Sequence, residues 1–283
     1  MLAHAASVMA VETAVQDITP DPSVVSRRTL PDDPGQSYFI YVPRHGGDKA
    51  PIFVTVHGIS RNAREHAERF APLAERYGAV LIAPYFSKDR FPDYQRLGRK
   101  GKGERADSVL DRIVADVGRL TGARTYKLYL FGYSGGAQFV HRYTLAHPER
   151  VAGLVLGAPG WYTFPDPALK YPQGIGPSKR LPDVVFDPAR FLTIPTCVLV
   201  GERDVRQDKA LNKATAIERQ QGITRLERGE HWIAAMTRAA QAQGFKTSYT
   251  FHTLPRSRHS FTQSMTRGGM GERVFDCLFG EKK

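Results

Sequence analysis

The sequence predicts an α/β domain: a mostly parallel sheet with helices on both faces. Two observations carry this. Short apolar runs of strand type alternate with longer stretches of helical period. The central runs are nearly unbroken in apolar residues, as strands buried on both faces must be. At 283 residues, 41% hydrophobic and 24% charged, the chain suits one large globular domain.

The elements follow in order. Residues 1–36 read as an N-terminal extension and 37–283 as the domain. "SYFIYVP" (Ser37 to Pro43) is the first strand, and "PIFVTVHG" (Pro51 to Gly58) is a β-branched strand ending at glycine. "HAERFAPLAERYG" places Phe70, Leu73, Ala74 and Tyr77 on one helical face, with Gly78 at the C-cap. "AVLIAPYF" is a strand. "ADSVLDRIVADVGRLTG" is an amphipathic helix with Val109, Leu110, Ile113, Val114 and Val117 inward. "KLYLFG", a helix over about Gly136 to Ala146, "VAGLVLGAP", "TCVLVGERD" and "SYTFHTLP" complete the alternation. One stretch breaks it: residues 160–190, dense in proline and aromatics, are too long for an ordinary connection. They read as a short lid or pocket-rim insertion.

The net charge is +12. Its densest basic run, "RLGRKGKGER" from Arg96 to Arg105, is interrupted by Gly98, Gly101 and Gly103 and reads as a solvated loop. No zinc-finger spacing or interleaved aromatic RNA-binding signature accompanies it, so no nucleic-acid partner is expected. No window approaches the roughly 20 apolar residues that cross a bilayer, so no stable membrane insertion is expected. The N-terminal "MLAHAASVMAVETA" has no basic n-region and reads as a poor signal peptide. That favours a cytoplasmic location, or a periplasmic or secreted one if a leader has been trimmed. Cys197 and Cys277 lack metal-site spacing and read as free buried thiols, a single disulfide being the alternative. Oligomeric state is left open.

The chemistry is carried by Gly132-Tyr133-Ser134-Gly135-Gly136, which fits G-x-S-x-G between a strand and a helix. A serine on so tight a turn projects above the sheet at a helix N-terminus, where free N–H groups face a developing oxyanion. Side chains two positions either side would have no room, so glycine stands there. A serine hydroxyl is a weak nucleophile near neutral pH and needs a base, held in turn by a carboxylate.

From about Ser37 onward the chain resembles the α/β-hydrolase family, in which the order is nucleophile, acid, histidine. The resemblance implies Ser134 as nucleophile. It implies Asp204 of "GERD" as the acid, with Glu202 and Asp208 in reserve, and His259 of "RHSF" as the base. It implies backbone donors at Gly135 and, in "HGIS", at Ile59, with Ser60 the second choice and His57 supporting the loop. His252, His231, His141 and His147 read as structural. An aspartate at the elbow would have implied a dehalogenase or epoxide hydrolase; Ser134 argues against both.

"HGISRNAREHAERFAPLAERYGAVLIAPYF", "GYSGGAQFVHRYTLAHPERVAGLVLGAPGWYTFP" and "RHSF" are similar to bacterial polyhydroxyalkanoate depolymerases and feruloyl esterases. The expected activity is ester hydrolysis through an acyl-enzyme, on a small or polymeric ester, with no metal or organic cofactor. Alternatives are a peptidase, amidase or acyltransferase on the same residues, or a silent binder of acidic polymers using the positive charge. Ser60, Tyr133, Trp161, Tyr162 and Phe164 are the candidate substrate-binding residues, the aromatics because ligands collect at the C-terminal side of such sheets.

Overall fold

The computed structural model describes residues 20–280. Eight strands form one sheet: β1 (Ser26–Leu30), β2 (Asp33–Tyr41), β3 (Pro51–Val56), β4 (Val80–Pro84), β5 (Arg124–Tyr133), β6 (Val151–Gly157), β7 (Thr196–Gly201) and β8 (Tyr249–Leu254). Their spatial order is β1-β2-β4-β3-β5-β6-β7-β8. The pairs β1–β2 and β2–β4 are antiparallel and the remaining pairs are parallel. The helices are α1 (Ala63–Arg76), α2 (Ala106–Thr121), α3 (Gly135–Ala146), α4 (Pro188–Phe191), α5 (Thr215–Gln221), α6 (Arg225–Ala242), α7 (Phe261–Thr266) and α8 (Met270–Phe279).

The expected mostly parallel sheet with covering helices is therefore present. Every residue of β4 and β7 is buried, matching their unbroken apolar sequences. The five apolar positions expected to face inward on α2 are all buried.

The domain starts earlier than Ser37. All of β1 and the first residues of β2 fall in the stretch expected to be an extension. Their sequences, "SRRTL" and "DPGQ", have no apolar run to betray them. The reason is position: β1 is an edge strand whose first four residues alternate between half-buried and exposed, Leu30 alone being buried. The stretch read for a signal peptide lies outside the described residues.

Register sets the site. Val56 of β3 pairs with Gly132 of β5, and Tyr133 pairs with Gly157 of β6. Gly201 of β7 pairs with Leu254 of β8. The loops that follow β3, β5, β7 and β8 thus leave the sheet at one edge, its C-terminal side, where α/β sheets bind ligands.

Residues 160–187 contain no helix and only one isolated bridge, Lys170 to Gly176. The segment is nonetheless anchored. Tyr162 is fully buried, stacked on Trp232 of α6 at 4.9 Å between ring centroids. The Trp232 indole N–H donates to the Thr163 carbonyl at 3.0 Å. The Gln221 amide spans the Tyr162 backbone, accepting from its N–H and donating to its carbonyl.

Candidate active site

The elbow between β5 and α3 is built by steric exclusion. Ser134 has φ +53° and ψ −111°, a conformation that a non-glycine residue holds only where its surroundings impose it. A Cβ on Gly136 would stand 2.0 Å from the Val56 carbonyl oxygen of the neighbouring strand. Only glycine lets α3 start that close to β3. Ser134 is 9% exposed, its backbone N–H donating to the Gly157 carbonyl at 2.7 Å.

The next contributor is the turn after β7. The Asp204 N–H closes it on the Gly201 carbonyl at 2.9 Å. A Cβ on Gly201 would lie 2.4 Å from the Ser257 carbonyl, so glycine here admits the loop after β8. The Arg203 N–H ties the two loops together by donating to that same carbonyl at 2.9 Å. His259 follows, and the chain is at once captured by α7, whose N-cap Ser260 accepts from the Gln263 N–H.

The structure brings the three expected residues together. His259 Nδ1 lies 2.7 Å from Asp204 Oδ2, and His259 Nε2 lies 2.9 Å from Ser134 Oγ. A carboxylate accepts only, so in the neutral imidazole Nδ1 carries the hydrogen and Nε2 turns its lone pair to the serine hydroxyl. The Tyr133 ring stacks on the imidazole at 5.5 Å. Glu202 instead accepts from the Arg256 N–H, and Asp208 does not reach the histidine but pairs with Arg225.

Arg225 is the residue that sequence reasoning missed. Its guanidinium, 1% exposed, donates to Asp204 Oδ1 at 3.2 Å and holds Asp208 with two bonds at 2.8 and 3.1 Å. Both oxygens of the Asp204 carboxylate thus have a partner, one toward His259 and one toward Arg225. Asp208 is pushed up by burial but pulled further down by the Arg225 hydrogen bond, and its carboxyl stays below the usual range.

The loop after β3 lies against the elbow: a Cβ on Gly58 would sit 3.4 Å from the Ser134 Cβ. His57 holds this loop. Its Nδ1–H donates to the Gly58 carbonyl at 2.8 Å, and its Nε2 accepts from the Phe86 N–H at 3.1 Å. Burial lowers its pKa to about 4, so the ring is a neutral strut. The Ile59 and Gly135 N–H groups have no acceptor among the described residues.

The cleft over Ser134 measures about 390 Å³. Gly58, Ile59 and Ser60 form one wall, Tyr133 and Ser134 the floor, and His259 to Thr262 the other wall. Of the residues expected to bind substrate, Ser60 and Tyr133 line this cleft, and Trp161, Tyr162 and Phe164 do not. Trp161 lies under the Arg142 guanidinium at 4.3 Å, and Phe164 packs against the core. These aromatics pin the 160–187 segment to the body, because their rings supply the apolar area that a helix-free segment needs to stay ordered. His141 takes the Thr163 N–H at 3.0 Å, and His231 meets the Gln221 carbonyl at 2.9 Å, so both are structural.

Residues 36–162 match the family model for esterase PHB depolymerases. A search of curated proteins gives no match. Among solved structures, LpqC, a poly(3-hydroxybutyrate) depolymerase from Bordetella parapertussis, is 25% identical with a TM-score of 0.74, covering 92% of each chain. Poly(aspartic acid) hydrolase-1 from Sphingomonas sp. KT-1 is 24% identical with a TM-score of 0.71, covering 85% of this chain and 93% of its own. An S-formylglutathione hydrolase from Agrobacterium tumefaciens shares the fold at 15% identity and a TM-score of 0.54, covering 86% of this chain and 90% of its own. Fold, elbow and family pattern together give this chain the α/β-hydrolase fold and make it similar to the PHB depolymerase group of esterases.

Proposed function

We propose that the chain hydrolyses carboxylic esters through an acyl-enzyme on Ser134. The observation that carries this reading is the unbroken relay Ser134–His259–Asp204, with bonds of 2.9 and 2.7 Å. His259 takes the hydroxyl proton as Ser134 attacks the ester carbonyl. The Gly135 and Ile59 N–H groups receive the oxyanion, and loss of one such donor typically costs about 10²–10³ in rate. His259 then passes its proton to the leaving alcohol. Water attacks the acyl-enzyme by the same route, and the carboxylic acid departs. Asp204 keeps the imidazole in its working tautomer and balances the imidazolium that forms.

At about 390 Å³ the cleft is near the small end of the range for ligand sites, which favours a small acyl group or the exposed unit of a polymer over a long buried chain. Hydrolysis of a p-nitrophenyl ester series from acetate upward tests this. Wild type is expected to peak at short acyl chains, and Ser134→Ala to lose at least about 10³-fold. Equal rates for the two proteins would refute the reading. A matched anilide series measures how far amides are also cleaved.

A further inference from the structure

The chain's two cysteines lie far from the cleft, at the opposite end of β7. Cys197 is the second residue of that strand, and Cys277 belongs to α8. They are 80 positions apart in sequence, yet their sulfurs stand 2.6 Å from one another, with nothing between them. Both are free thiols in this structure. A cleft of about 690 Å³ opens beside them, lined in part by Cys197, His252, Arg273, Asp276 and Cys277. A His252 ring nitrogen lies within 4.8 Å of both sulfurs.

We propose that Cys197 and Cys277 form a disulfide cross-link between β7 and α8, made by exchange with a small-molecule disulfide that enters this cleft. Cys277 is the attacking group because it is the more exposed of the two, whereas Cys197 is 3% exposed. The adjacent Cys197 thiol and the positive charge of Arg273 favour its thiolate against the cost of burial. It attacks one sulfur of the external disulfide, expels a thiolate and leaves a mixed disulfide. Cys197 then gives its proton to His252 or water, attacks the Cys277 sulfur and expels the second thiolate. Two protein thiols are oxidised and one external disulfide is reduced to two thiols.

The geometry favours this over a shared metal. Zinc–sulfur bonds of about 2.3 Å in a tetrahedral site hold two sulfurs about 3.8 Å apart, so these thiols would have to separate to ligate one ion. The cross-link closes a loop that contains both Asp204 and His259. It restricts the unfolded chain across the segment that supplies two of the three relay residues.

The test uses the purified, folded full chain, incubated with oxidised glutathione, then denatured and alkylated. The expected product is a monomer lighter by two hydrogens that takes up no alkyl group and yields a linked Cys197–Cys277 peptide. Its Tm rises by roughly 5 °C, and dithiothreitol reverses the gain. Cys277→Ala shows neither effect and keeps the wild-type ester rate. Two alkylated thiols on a folded protein after oxidation would overturn the proposal. So would cross-links found only between chains, or stoichiometric zinc in the untreated protein that blocks oxidation until chelated.

Discussion

Ser134 could be found from sequence because its neighbours are constrained by backbone rather than by side chains. Gly132 and Gly136 are there because β3 and α3 leave no room, and that constraint is local and readable. Asp204 and His259 were readable for a related reason: each follows a strand end, and the strands were visible as apolar runs. Arg225 was not readable. It sits 21 positions beyond Asp204, and nothing in "TRLE" distinguishes it from a surface arginine until the chain folds back. Its partners make a sharp prediction. Arg225→Met leaves Asp204 Oδ1 and Asp208 without their cation, and removing one member of a buried ion pair typically costs about 3–5 kcal/mol. Urea unfolding should register that loss, and kcat should fall roughly tenfold as Asp204 swings away from His259. Arg225→Lys, with the charge but without the fork, should recover only part of both. Unchanged kcat in Arg225→Met would remove Arg225 from the positioning of Asp204.

The helix that delivers Arg225 explains why the residue is so well held. It is the first residue of α6, directly after an N-cap whose capping box is complete. The Glu227 N–H donates to Thr224 Oγ1 at 3.2 Å, and the Thr224 N–H donates to Glu227 Oε2 at 3.3 Å. Thr224→Ala should cost about 1 kcal/mol by the usual cost of an N-cap, and should lower kcat slightly through Arg225. If stability fell by that amount with kcat untouched, the capping box would be a stability feature alone. At this scale the sequence was most informative for elements buried on both faces. It was least informative for β1, whose outward residues are polar, and for residues 160–187, where ring packing replaces periodicity. The aromatics of that segment looked like a pocket rim because of where they follow β6. Their rings point into the body instead, where Trp232, invisible as a partner from sequence, receives Tyr162.

For the whole molecule, charge and burial set the pH response. The densest basic run is largely answered locally: Arg96 and Arg99 pair with Asp93, and Arg105 pairs with Asp107. The Asp93 and Asp107 carboxyls are pushed up by burial but held net below the usual carboxylate range by these partners, joined at Asp107 by His147. Three buried histidines matter more at mild acidity. Burial lowers His57 to about 4 and holds His66 and His141 well below 6.5. In the unfolded chain all three titrate near 6.5. Between about pH 6.5 and 4 the unfolded state therefore binds up to three more protons than the folded state. Stability must rise with pH across that window and fall as acid is added, by at most about 4 kcal/mol per pH unit. Urea midpoints from pH 7.5 to 5 test this. A flat profile would mean that the three rings take up protons over the same pH range in the folded protein as in the unfolded chain.

A covalent ester on Ser134 would be seen in the intact mass of the protein, acid-quenched milliseconds after mixing with p-nitrophenyl acetate. The expected result is an added acetyl group that maps to the peptide carrying Ser134, decays at the turnover rate and is absent from Ser134→Ala. Turnover with no adduct at any time, or an adduct retained by Ser134→Ala, would contradict it.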